Sequence, residues 1–121
     1  MDTPQDITAI RQQRNLLFDF YGPMLTPKQA ACFTMRYMED CSLTEIAQEL
    51  DISPQAAVDF IKRGAERLER CEEQLGLVRK FTQQQNIAAS ILTKLDELEK
   101  QTGLTAEVNR IREAIGEMMY V

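Results

Sequence analysis

Apolar residues recur at three- and four-residue steps from one end of this chain to the other, and nowhere alternate as a strand would require. Ile7, Ile10, Leu17, Phe20 and Tyr21, widened by Leu16, predict a first helix from about Ile7 to Tyr21. Gly22–Pro23 ends it, because proline cannot continue the ladder and restricts the residue before it. Thr26, Pro27 and Gln29 then read as a cap, a first-turn proline and a reciprocal capping partner. The second helix they open carries Ala30, Phe33 and Tyr37 on one face, with Met38 close by, and ends near Asp40. A third, Leu43 to Leu50, has Ser42 and Glu45 as a capping box and is too short to persist unless its neighbours hold it.

The fourth helix is the long one. Ala57, Ile61, Gly64, Leu68, Cys71 and Leu75 form a seam at alternating four- and three-residue steps, which Gly76 can interrupt. The polar run Thr82–Gln83–Gln84–Gln85–Asn86 reads equally as a helix surface or a short connector. A fifth helix carries Ile87, Ile91, Leu95 and Leu98, with Gly103 placed as a left-handed cap. Thr105 starts a sixth with Val108, Ile111, Ile115 and Met118. The seams at Leu68–Leu75 and Ile91–Leu98 either pack within one chain or pair two chains through the C-terminal helices. Met118, Met119, Tyr120 and Val121 make an apolar terminus of the kind that docks rather than stays in water.

Between the third and fourth helices lies the most informative segment. Ile46 and Leu50 share a face, Ala47 allows close approach, and Asp51 breaks the pattern. Ile52 plugs the corner, while Ser53 and Pro54 cap and open the next helix. This is the grammar of a helix-turn-helix, whose second helix enters a major groove of DNA. In that reading Gln55 pairs with adenine and Ala56 meets a thymine methyl, while Asp59 accepts from cytosine. Lys62 and Arg63 lie near the backbone, Ser53 donates to phosphate at the helix start, and Lys28 adds a contact from the second helix.

Charge modifies this picture. The chain has 121 residues and a net charge of −5, a handicap for phosphate binding. From Pro54 to Arg70, four cations (Lys62, Arg63, Arg67, Arg70) oppose three anions (Asp59, Glu66, Glu69). Arg11, Arg14, Arg79 and Lys80 would form a second basic patch suited to RNA if the first and fourth helices lie side by side. Phe18, Phe20, Tyr21, Phe33 and Tyr37 fall at helical spacing, as core rather than stacking groups. The chain contains no histidine, the commonest general base and metal ligand, and Glu72–Glu73 diverge around a helix axis. The expectation is a non-enzymatic protein with no metal and no cofactor. Cys32, Cys41 and Cys71 are odd in number and lack CxxC spacing, as in a reduced, cytoplasmic protein. No apolar run is long enough to span a membrane, and the polar N-terminus is not a signal peptide.

Phe18–Asp19–Phe20–Tyr21–Gly22, Leu25–Thr26–Pro27–Lys28–Gln29, Ser42–Leu43–Thr44–Glu45–Ile46–Ala47 and the run from Ser53 to Arg63 together carry a resemblance. In order and spacing, roughly over residues 11 to 78, the chain resembles the YlxM family of small bacterial proteins. The resemblance implies an all-α fold: a sigma-factor region-4-like helix-turn-helix bundle with a C-terminal helical extension. A helix-turn-helix domain would occupy residues 1–78, its motif at about 43–70, and the extension residues 79–121. It also implies a regulatory role associated with the signal recognition particle. The chain departs from the pattern at Asp51, where glycine is frequent, at Pro54, where a basic residue is common, and at Ala57, where a branched aliphatic is usual. Two functions stay open. One is contact with DNA or RNA through the fourth helix. The other is a protein-interaction module that uses the same fold on a protein such as the particle's GTPase.

Overall fold

The computed structural model describes residues 4–119, with side chains from Thr8 onward. Ile7's place in the first stripe, and Tyr120 and Val121 in the apolar terminus, lie outside what is described. The described residues form an all-α helix-turn-helix fold of six helices and no strand: α1 Pro4–Tyr21, α2 Pro27–Tyr37, α3 Leu43–Leu50, α4 Pro54–Leu75, α5 Leu77–Thr102 and α6 Thr105–Met119. They divide into two compact units, one ending at Val78 and one beginning at Arg79.

In the first unit the helix ends follow from local chemistry. Thr26 with Gln29, and Ser42 with Glu45, form complete capping boxes, while the Ser53 hydroxyl accepts from the Ala56 N–H at 3.0 Å. A single 3₁₀ turn, Gly22–Met24, links α1 to α2, and its Met24 carbonyl accepts from Arg67 Nε at 2.7 Å. Asp51 caps α3 in the left-handed conformation, φ 54° and ψ 48°. That conformation explains why glycine is frequent at this turn position, since only glycine adopts it without a Cβ penalty. Asp40 takes the same conformation, φ 57°, before α3.

Two apolar clusters hold these helices. Leu17, Tyr21, Leu25, Phe33, Ala65, Leu68 and Val78 form one; Cys32, Ile46 and Ala57 form the other, with Met35, Leu50, Ile52 and Ile61 packed against it. Phe33 stacks on Phe18 at 5.4 Å and tilts against Tyr37 at 4.6 Å. The aromatic residues expected in the core are there except Phe20, which, like Ile10, is exposed. The stripe on α1 is wider than its neighbours cover. Gly64 faces α2 across the helix pair: a Cβ there would stand 3.7 Å from that of Gln29 and 3.8 Å from Leu25 and Phe33, ordinary contact distances.

The α4–α5 junction is a polar latch. Gly76 ends α4 in the left-handed conformation, φ 63°. The Tyr21 hydroxyl donates to Glu72 Oε1 at 2.6 Å and accepts from the Leu77 N–H at 3.1 Å. The Val78 N–H donates to the same Glu72 oxygen at 3.0 Å. Two first-turn amides of α5, which no intrahelical carbonyl can satisfy, thus find partners. Burial, reinforced by the hydrogen bond to Glu72, raises the Tyr21 hydroxyl above its ordinary value.

The second unit holds most of α5 together with α6. The polar run 82–86 lies within α5, so it is helix surface and not a connector. Gly103, φ 70°, makes the turn that follows Thr102. Ala88, Leu95 and Val108 are the buried apolar residues among those described here. Arg112 bonds Asp96 and lies 2.6 Å from Glu99, which ties α6 to α5 and raises the guanidinium value further.

Candidate nucleic-acid interface

Ser53 launches α4 out of the turn, and the periodicity of α4 decides which side chains face outward. Ala57, Gly64, Ala65 and Leu68 are buried on the side of α4 that packs on α1, α2 and α3, while Ile61 is partly covered. Gln55, Asp59, Lys62 and Arg63 lie on the opposite, exposed side, with Ala56 at its partly covered edge. Ser53 is exposed at the head of the helix, its oxygen already engaged as a cap. Lys28 is exposed too, but in the first turn of α2, beside the Gln29 that faces Gly64 across the helix pair. It stands apart from the outward stripe of α4.

Electrostatics narrow what this face can do. Arg63 Nε lies 3.1 Å from Asp59 Oδ2, one turn back, so one cation of the stripe is already paired. Displacing that pair for a phosphate exchanges one carboxylate for another anion and yields little. Of the second basic patch, Arg11 pairs with Asp40 at 2.9 Å and Arg14 with Glu69 at 2.6 Å. Arg79 and Lys80 belong to the other unit. Among the described residues no cluster of His, Cys, Asp and Glu could hold a metal ion. No described helix is long and apolar enough to cross a membrane.

One feature of the site escapes a reading of the motif alone. Beside the outward stripe lies a groove of about 410 Å³. Tyr37, Leu43, Val58 and Ile61 line it, together with charges of both signs: Arg14, Arg36, Lys62, Glu66 and Glu69. The Arg36 guanidinium is steadied by the Cys41 carbonyl at 3.2 Å. A signal was present in Val58, an apolar residue off the buried seam of α4 and exposed in the fold. The other walls come from α1, α2, α3 and the rest of α4, and no local pattern announces them.

Comparison with known proteins agrees with a helix-turn-helix at α3 and α4. Residues 9–108 match the model of the UPF0122 family, described as "Putative helix-turn-helix protein, YlxM / p13 like". The chain belongs to this YlxM/p13-like family. The UPF0122 protein of Listeria welshimeri is 45% identical over 96 residues, covering 77% of this chain and 87% of its own length. That of Listeria monocytogenes strain EGD-e shows the same identity and coverage. The Bacillus cereus AH187 relative is 42% identical over 101 residues, 84% of this chain and 89% of its own. The family match runs beyond residue 78, through α5 and into the first turn of α6, further than the resemblance visible in the motifs.

Proposed function

We propose that this YlxM/p13-like protein is a non-enzymatic regulator that docks on nucleic acid through the outward stripe of α4. One observation carries the reading: Gln55, Asp59, Lys62 and Arg63 share an exposed side of a helix whose opposite side is locked into the core. Gln55 and Ala56 are the base-edge candidates; Ser53, Lys62, Arg63 and, from α2, Lys28 are the backbone contacts. With Asp59 engaging Arg63, backbone contact outweighs base reading, which suits structured RNA as well as DNA. The resemblance to YlxM proteins supports a setting in the signal recognition particle pathway, in the cytoplasm.

The groove beside Lys62 favours a second reading, in which the same fold engages a protein, such as the particle's GTPase subunit, and modulates it. A salt series separates the two. Duplex DNA and a structured RNA are titrated with the full chain at several salt concentrations. Phosphate-driven binding weakens linearly on logarithmic axes, and Lys62→Ala reduces the slope by about 1. Arg63→Ala changes it less, because Asp59 already holds that guanidinium. Binding indifferent to salt and to both substitutions would remove the nucleic-acid reading.

A further inference from the structure

The C-terminal unit is under-filled on one side. Ala88 and Leu95 of α5 and Val108 of α6 are buried, which is a small core for two helices of this length. Beside that seam, Ile87, Ile91 and Leu98 of α5 stay exposed, Ile87 at 60%. On α6, Ile111 and Met118 are exposed as well, Met118 at 65%. These residues belong to one side of the hairpin. Ile87 and Ile91 line a groove of about 150 Å³ together with Ile115 and Met118. Ile111, Ile115 and Met118 continue the surface along α6. The polar attachment of α6, through Arg112 to Asp96 and Glu99, leaves this groove free of ion pairs.

The width of the apolar arcs says what covers them. At 100° per residue, Ile87, Ile91, Leu98, Leu95, Ala88 and Leu92 sweep about 140° of α5, where a helix with one neighbour needs less. Met118, Ile111, Ile115, Val108 and Met119 sweep about 100° of α6, and the surplus on both helices falls on the same side. The α5 arc is broad enough for two neighbours, as in a four-helix bundle, and the exposed edge of the α6 arc lies on the same side. The hairpin supplies two of the four. We propose that the other two come from a second copy of this chain, seated face to face on Ile87, Ile91, Leu98, Ile111 and Met118.

Area and charge agree with that occupant. From Ile87 to Thr102 the face is about 22 Å long and two helices wide. Such a footprint brings the buried surface near the roughly 800 Å² per partner of a standard stable interface. Lys94 borders the exposed α5 stripe and Arg110 the α6 surface, and the stripes themselves carry no charge that would specify a foreign partner. A two-fold pairing requires only that the patch match itself. The dimer does not depend on nucleic-acid binding, and it carries two copies of the α4 face.

Sedimentation of the full chain at tens of micromolar tests this. The expected species has twice the 13.9 kDa subunit mass. Ile87→Glu and Met118→Glu each weaken the dimer about a hundredfold, as loss of a central apolar contact does. Gln85→Glu, on the polar side of α5, leaves it intact. Far-UV circular dichroism reports whether each variant keeps its helices. Should a glutamate variant lose them, Ile87→Ser and Met118→Ser take its place. A chain that stays single at these concentrations overturns the proposal. So does a dimer that survives in folded variants of both Ile87 and Met118, or folded single chains produced equally by Gln85→Glu.

Discussion

At the scale of single residues, the informative positions are those where one side chain stands against its own backbone or completes another's. Asp51 holds a left-handed conformation that costs most residues about 1–2 kcal/mol. Asp51→Gly therefore stabilises the fold by about 0.5–1 kcal/mol once the freer unfolded chain is counted, read as a higher urea midpoint. Asp51→Val destabilises it by about 1–2 kcal/mol and lowers the midpoint, because a β-branched side chain fits that region worst. If both variants unfold with the parent, the turn is not built as described. Tyr21 is the second such residue. Its neutral hydroxyl both donates and accepts in the latch, so Tyr21→Phe leaves the Leu77 amide unpaired and costs about 1–3 kcal/mol. The folded state raises the Tyr21 value above 10.0, which fixes the sign of its pH dependence. Its stabilisation is complete below pH 10.0 and is lost as pH rises through the folded-state value. Thermal midpoints of the parent should fall over that alkaline range by an increment that Tyr21→Phe lacks.

At the scale of elements, what was legible in the sequence was what is encoded locally. Thr26, Ser42 and Ser53 cap their helices through bonds spanning three residues, so the pattern and the contact coincide. Gly76 was readable as an interruption for the same reason. The run 82–86 was not, because a solvated helix surface and a connector draw on the same polar residues. Ile10 and Phe20 keep helical spacing yet stay exposed, since periodicity gives a direction and not the extent of the neighbour. The outward side of α4 follows from its seam, and the Asp59–Arg63 pair was available at four-residue spacing. The groove lined by Tyr37, Leu43 and Val58 was not, because α1, α2, α3 and α4 meet there only after folding. The close approach of α2 to α4 gives this scale its prediction. A Cβ on Gly64 meets its neighbours at ordinary van der Waals distance, so no clash opposes it. Gly64→Ala thus stabilises by about 0.5–1 kcal/mol through helix propensity, read as a higher denaturant midpoint. A lower midpoint would mean that the helices are closer than the structure places them.

At the scale of the whole molecule, the two units are stabilised in different ways. The first buries Leu17, Tyr21, Phe33, Ile46, Ala57 and Leu68 in clusters drawn from four helices. The second buries Ala88, Leu95 and Val108, and its remaining apolar surface awaits a neighbour. If that neighbour is a second copy, the stability of α5 and α6 depends on protein concentration while that of α1 to α4 does not. Amide hydrogen exchange resolves the difference, because it reads local opening segment by segment. Amides of α2 and α4 should exchange at rates independent of concentration. Those of α5 beyond Arg79 and of α6 should slow by about threefold for each tenfold rise in concentration above the dimer midpoint, since the monomer fraction falls as the square root. Ile87→Glu should abolish that dependence and leave the first unit's protection unchanged. Uniform protection at every concentration would mean that the α5–α6 hairpin is held by its own contacts, with the half-buried Arg112–Glu99 pair and Asp96 contributing more than a surface ion pair ordinarily does.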